Sequence, residues 1–287
     1  MSQSADVTHE LAAFLRNRRE RLTLDDVALP DRGRQRRTPG LRREEVADLA
    51  GVSTDYVVRL EQGRGLRPSP EVLGALATAL RLTRDERAYL FDLVGHRPTA
   101  TEPVPAAGPS LPLAQLVEDL SPLPALLVNY RFDILAWNGE MAGLMTDFAA
   151  LPAEQRNTMW LCVLHPEFRD FYREREKTLR EGIADLRAAW AARPEDAALA
   201  ALIGALDAGS EEFTRFWALR DVRVNGRGLK RLRHSRLGPV DVRYEVLIPL
   251  QDQDQRLIVY RAADTASQAV FDTIAREAAD RRMVYAG

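Results

Sequence analysis

The sequence predicts two folded parts: an all-helical N-terminal domain of about five short helices, then an α+β domain built on an antiparallel sheet. Three observations carry this. Residues 1–95 place apolar side chains at helical spacing and contain no alternating run. Residues 96–112 (HRPTATEPVPAAGPSLP) hold five prolines, which deny backbone donors and favour extended chain, so they read as a semi-rigid linker. Residues 113–287 run as two strand-like segments, several helices, then three or four more strands. A chain of 287 residues has length for two such domains.

In the first domain, Leu11, Phe14, Leu15 and Leu22 form one stripe of a first helix. Glu44 to Ala50 follows, with Val46, Ala47 and Ala50 as its apolar face. Gly51 stands where a left-handed residue would end that helix and turn the chain sharply. Val52 packs into the angle, Ser53 caps the next helix (to Gln62), and Val57 and Leu60 face inward. Ser69-Pro70 supplies an N-cap and a first-turn proline for a helix carrying Val72, Leu73, Leu76 and Leu80. Thr83 and Glu86 make a capping box ahead of Ala88, Leu90, Phe91 and Val94.

Beyond the linker, Ala125–Asn129 and Phe132–Trp137 flank Tyr130-Arg131 as a hairpin. A helical spacing then joins Phe168, Phe171, Tyr172, Leu179, Ile183, Leu186 and Trp190. Leu199 to Leu206 marks another helix, and Ser210 caps one bearing Phe213, Phe216 and Trp217. Strands are expected at Val222–Val224, Leu229–His234, Val240–Pro249 and Leu257–Arg261, with turns at Asn225-Gly226 and Gly238-Pro239. Thr265–Arg282 closes the chain as a helix with Val270, Phe271 and Ile274 available to a partner.

The segment Leu41–Arg64 (LRREEVADLAGVSTDYVVRLEQGR) resembles the Cro/phage-repressor-like helix-turn-helix family, the xenobiotic-response-element group. Leu60 to Arg64, followed by Pro68 and Pro70, matches that family's ending, and the resemblance spans about residues 8–94. It implies that the second helix of the motif enters the major groove of double-stranded DNA. Thr54, Asp55 and Arg59 are then the candidate base readers, Arg59 toward guanine and Asp55 toward cytosine or simply as an anion at a helix start. Arg43 stands where the family often has a phosphate-contacting glutamine; Ser53, Tyr56 and Arg64 are further phosphate candidates. Arg34, Arg36 and Arg37 lie in a long connection before the motif, read either as a solvated loop or as an arm reaching the DNA backbone or minor groove.

The whole chain resembles the MmyB-like regulators, which join such a module to a PAS-like ligand-binding domain. The residues concerned are Asn129 to Asn138 (NYRFDILAWN), Ser210 to Phe213 with Phe216-Trp217 and Asp221-Val222, and Lys230 to His234 ahead of Gly238. Ser235 departs from the family, which usually has proline there. The resemblance implies a small apolar, fatty-acid-like ligand, with Trp137, Met141, Met145, Trp160, Phe213 and Trp217 lining its pocket or merely filling a core. Arg169, Arg173 and His234 are candidates to meet a carboxylate.

Forty basic against 42 acidic residues leave a net charge of −2, which excludes a polybasic nucleic-acid binder. The balance is uneven, since residues 32–43 (RGRQRRTPGLRR) carry six arginines and no acid. One cysteine, Cys162, excludes an internal disulfide, and the four histidines have no metal-ligand spacing, so neither metal nor cofactor is expected. No run of about 18 apolar residues suggests a membrane span, and a reducing cytoplasm is the expected home. No nucleophile elbow, phosphate loop or zinc motif is present, so an enzyme is not expected. The expected protein is a homodimeric transcription regulator; the alternative is a helical module that docks a protein partner, and a lipid-acting enzyme is the remote third reading.

Overall fold

The computed structural model describes residues 3–27, 40–64, 67–95 and 108–286. They form two compact units. The first comprises Met1–Glu102 together with Arg187–Ala197 and Arg220–Arg223; the second takes Pro103–Leu186, Ala198–Leu219 and Val224–Gly287. The sequence reading places its one boundary in the Pro-rich stretch; the two later segments of the first unit carry no such mark in the sequence. Residues 96–107 of the expected linker lie outside the described residues, and its last two residues already begin a helix.

Among the described residues of 1–95 there are five α-helices, as the sequence predicts: α1 (Gln3–Arg21), α2 (Arg43–Ala50), α3 (Thr54–Glu61), α4 (Pro70–Ala79) and α5 (Arg84–Leu93). Leu11, Phe14 and Leu15 of α1 meet Val46, Leu60, Leu73, Leu76 and Leu90 in one core, while Leu22 falls just past the helix and packs at its margin. Phe14 and Tyr89 rings lie 5.0 Å apart. Both bonds of the Thr83–Glu86 capping box are present, at 3.3 and 2.8 Å. Gly40 returns the chain against α1 at φ 85°, and a Cβ there would stand 2.5 Å from the Glu20 Cα, so only glycine allows this approach.

Val222, expected in a strand, instead packs into this helical core with Ala191. An isolated apolar residue can serve a core as readily as a sheet, and here it has no strand neighbour to pair with. Arg187 is buried at 1% exposure and donates to Glu10 at 2.5 Å, and the Tyr89 hydroxyl donates to the same carboxylate oxygen at 2.8 Å. Burial pushes the Tyr89 phenol far above its ordinary value.

The second unit begins with α6 (Leu111–Asp119), which no sequence signal had marked. β1 (Ala125–Asn129) and β2 (Ile134–Trp137) form the expected hairpin. Its turn is set by Asn129, whose Oδ1 accepts from Arg131 and Asp133 amides at 2.9 and 3.0 Å, with Phe132 left-handed at φ 70°. Then come α7 (Gly139–Leu144), α8 (Thr158–Leu164), α9 (Arg175–Ala192), α10 (Ala197–Gly209) and α11 (Glu211–Ala218). β3 (Arg227–His234), β4 (Gly238–Leu247), β5 (Gln255–Ala262) and α12 (Thr265–Ala286) complete it. Asn225-Gly226 therefore leads into β3 rather than joining two strands.

The five strands order as β2-β1-β5-β4-β3, and every pairing is antiparallel. Along the outer side of β3, Arg173 N–H donates to Arg231 O and Arg233 N–H to Phe171 O, at 2.8 and 2.7 Å. Phe168 to Tyr172, expected at the start of a helix, thus precede α9 and shield an edge strand. Helix α6 packs Val117 with Ala125, Leu127 and Leu257. Asn138 is fully buried and takes the amides of Ala125 and Met141 at 3.0 Å while donating to Val117 and Leu123 carbonyls at 3.2 and 2.8 Å.

Candidate nucleic-acid interface

Helices α2 and α3 make the tight pair the sequence predicts. Gly51 ends α2 in the left-handed region at φ 66°, and the Val52 N–H reaches back to Ala47 O at 3.0 Å. Ser53 then starts α3, its Oγ accepting from the Tyr56 amide at 3.1 Å. Val57 and Leu60 turn inward. Thr54, Asp55 and Arg59 face outward and are exposed. At 100° per residue they share one arc of the helix. Among the described residues, Arg59 makes no ion pair, so its guanidinium is available to an acceptor.

Tyr56 is half-buried against the core; burial pushes its phenol up, and the nearby Arg59 charge opposes the shift. Arg64 is exposed just after the motif. Arg34, Arg36 and Arg37 lie outside the described residues. Arg43 stands at the first turn of α2, but its Nε donates to Glu61 at 2.7 Å, leaving only its terminal nitrogens for a phosphate.

Glu61 escaped the sequence reading, although an acid between Leu60 and Gln62 on the inner side of α3 was a signal for it. It is 2% exposed, and it also accepts from Arg19 Nε and a terminal nitrogen at 2.6 and 3.2 Å. Burial works against the Arg19 charge, and Glu61 more than offsets it, so the guanidinium is held above its ordinary value. Arg19 donates as well to Leu41 O at 2.8 Å, and Arg16 to Glu61 O at 2.7 Å. One carboxylate thus ties α1, the start of α2 and the end of α3. The geometry of the exposed arc depends on it.

In the second unit, the four aromatic candidates among the six fall into separate ring contacts. Trp137 meets Phe148 edge-on at 5.3 Å, Trp160 meets His165 at 5.9 Å, and Phe213 stacks on Trp217 at 5.6 Å. Met141 is fully buried and Met145 ends α7. None of the six lines the open cleft of about 900 Å³ between the α8 end and the α11 start, where His165, Arg169, Arg175, Ser210, Glu212 and Arg215 stand. His234 has both ring nitrogens engaged, Nε2 with Gly143 O at 2.9 Å and Nδ1 with the Arg236 and Leu237 amides at 3.2 and 3.0 Å. Arg173 pairs with Asp241 at 3.3 Å. Of the three carboxylate candidates only Arg169 stays exposed at the cleft.

No helix among the described residues is long and apolar enough to cross a membrane. A search of curated proteins finds no match to the chain. Family comparison matches residues 10–90 to a helix-turn-helix domain. Residues 110–273, more than half of the chain, match the MmyB-like transcription regulator ligand binding domain. A capped two-helix motif with an outward polar arc, joined to that domain, makes this a DNA-binding transcription regulator with a ligand-sensing half, and the chain belongs to the MmyB-like transcription regulator family.

Proposed function

We propose that the protein is a cytoplasmic, non-catalytic homodimer that reads a specific operator through α3 and answers to a small apolar ligand. The exposed arc of Thr54, Asp55 and Arg59 on a helix fixed by Ser53 and Glu61 carries the reading. Arg59 suits a bidentate contact to guanine, worth about 1–3 kcal/mol of discrimination. Ser53, Tyr56, Arg64 and the free end of Arg43 would hold phosphates, which position the helix without reading sequence. Two-fold symmetry would place paired half-sites about 34 Å apart or at a multiple of it.

Supporting the PAS-like reading of the second unit is its order of two strands, a run of helices and three strands, with one antiparallel sheet throughout. The apolar ligand rests on the family resemblance and on Trp137, Met141, Met145, Trp160, Phe213 and Trp217 as its candidate contacts. A ligand changes DNA binding only if it prefers one of two states of the protein.

Shift assays on a mapped operator test the DNA reading. Arg59→Ala and Thr54→Ala should each weaken specific binding by about tenfold and relax base preference at their own positions. Wild-type affinity and specificity in both would defeat groove reading. Replacing Arg34, Arg36 and Arg37 together with Ala should weaken binding to all sequences and flatten its salt dependence; an unchanged salt slope removes them from the interface.

A further inference from the structure

The open cleft of about 900 Å³ lies wholly within the second unit, apart from the six apolar ligand candidates. One wall comes from the end of α8 and the residues after it, the other from the turn between α10 and the start of α11. The walls meet where Gly209, the last residue of α10, leaves room: a Cβ there would stand 2.6 Å from the Leu164 Cδ2. Ser210 then starts α11, its Oγ accepting from the Phe213 amide at 3.2 Å.

Three arginines line this cleft, and two of them are uncommitted. Arg175 is held, since its Nε donates to Glu212 at 3.2 Å and a terminal nitrogen to Cys162 O at 2.7 Å. Arg169 and Arg215 are exposed, and among the described residues neither forms an ion pair. The Arg215 guanidinium rests over the Phe216 ring at 4.6 Å, which restrains it. Beside them His165 lies against the Trp160 and Phe168 rings, its Nδ1 shut from water with no hydrogen-bond partner among the described residues. Two acids share the space, and each has a local task. Glu212 takes Arg175, and Glu211 opens α11, where helix amides favour a carboxylate. The charge left over is positive.

We propose that this cleft binds the phosphate group of a small polar metabolite, a phosphate monoester, through Arg169, Arg175 and Arg215. The site is separate from the apolar ligand of the function proposed above and adds a second chemical class to what the domain can sense. Phosphate is favoured over carboxylate by the number and kind of donors. A carboxylate has two oxygens in one plane, which a single guanidinium fork satisfies. A phosphate monoester has three free oxygens and nearly two negative charges at pH 7, which suit guanidinium groups brought from both walls. The cleft is larger than an ion needs, and the surfaces of Val163, Pro166 and Ser210 leave room for the organic part.

The test titrates the full chain by calorimetry with glycerol 3-phosphate and with glycerol, at equal ionic strength. Glycerol 3-phosphate should bind with a Kd of about 1 mM or tighter, and glycerol should give only heat of dilution. Arg169→Gln and Arg215→Gln should each weaken the phosphate ester by about fivefold or more, and together by about twentyfold or more. Their melting temperatures should stay within about 2 °C of wild type, because both side chains stand in water. Arg243→Gln removes another exposed arginine, on β4, and as the control for net charge should leave binding within about twofold. Absence of glycerol 3-phosphate binding by wild type overturns the proposal, as do full affinity in the double variant, an equal loss in Arg243→Gln, or a double variant that melts early or fails to fold. Shift assays without ligand should find the double variant's operator affinity unchanged. A fall there assigns the arginines to the DNA backbone and overturns the cleft as a small-molecule site.

Discussion

Replacing Glu61 should loosen the helical unit more than any other single polar change on α3. Its carboxylate takes three guanidinium N–H groups, at 2.6, 3.2 and 2.7 Å, two from Arg19 and one from Arg43. Glu61→Gln keeps the shape but removes the charge and points an amide toward donors. Arg19 is itself buried, at 6% exposure, and is left with only the half-exposed Glu20 carboxylate, at 3.3 Å, to oppose its charge. Breaking a buried pair in this way costs about 3–5 kcal/mol, a large part of the 5–15 kcal/mol that holds a domain together. Arg43 adds little to this sum, because its side chain is 44% exposed and water replaces its partner. Hydrogen exchange read by mass spectrometry should show α2 and α3 amides exchanging roughly 10²–10⁴-fold faster, with β1 and β5 amides unchanged. The double change Arg19→Met, Glu61→Leu should recover most of the loss, since it leaves no unpaired charge buried and Arg43 is exposed to water. Exchange within threefold of wild type in Glu61→Gln would refute the reasoning.

Further expectations follow from individual contacts. Gly51→Ala should cost about 1–2 kcal/mol through its left-handed backbone alone, since nothing lies within 4 Å of the added Cβ; a neutral result in urea unfolding would contradict this. Ser53→Ala should cost about 1 kcal/mol in the same assay by removing the cap to the Tyr56 amide, and no loss would assign α3 its start without the cap. Cys162 is raised from an ordinary value near 9 to about 11, so its contribution is whole below pH 9, where the thiol is protonated folded or unfolded. Between pH 9 and 11 only the unfolded thiol ionises, and stability should fall by up to about 3 kcal/mol; a flat urea midpoint across that window, or rapid alkylation at pH 9, would disprove it. Residues 1–95 expressed alone lack Arg187 and Val222, which complete the core and the Glu10–Tyr89 cluster, so they should unfold at lower urea than the same helices in the full chain.

Local signals were readable because the residues concerned act on their neighbours. Ser53, Ser69, Thr83 and Gly51 bond or bend the backbone within a few positions, and each cap or turn falls where the sequence places it. The outward arc was equally legible, since Val57 and Leu60 leave Thr54, Asp55 and Arg59 the other side. What stayed hidden needs partners distant along the chain. Glu61 meets Arg19 across 42 positions, and Arg187 meets Glu10 across 177. Val222 has a strand-former's composition, but the helical core claims it. His234 looked free to bind a carboxylate because neither the Gly143 carbonyl nor the two amides that engage it can be inferred from spacing.

The near-neutral total charge takes on meaning through Glu61. A surface meant to meet phosphate needs cations, and cations near one another destabilise the fold that presents them. Here a single buried carboxylate takes Arg19 by two nitrogens and Arg43 by one, so the positive charge near the motif is partly held in place before DNA arrives. Arg43 is then oriented at the α2 start, where the helix amides already favour an anion, and its rotamer freedom is largely spent in the free protein. A phosphate contact from a side chain so fixed gives up less entropy on binding than one from a mobile arginine. Arg59 and Arg64 carry no such restraint and would order only on the duplex. The same arginine type therefore serves two ends, and the acid on the inner side of α3 decides which.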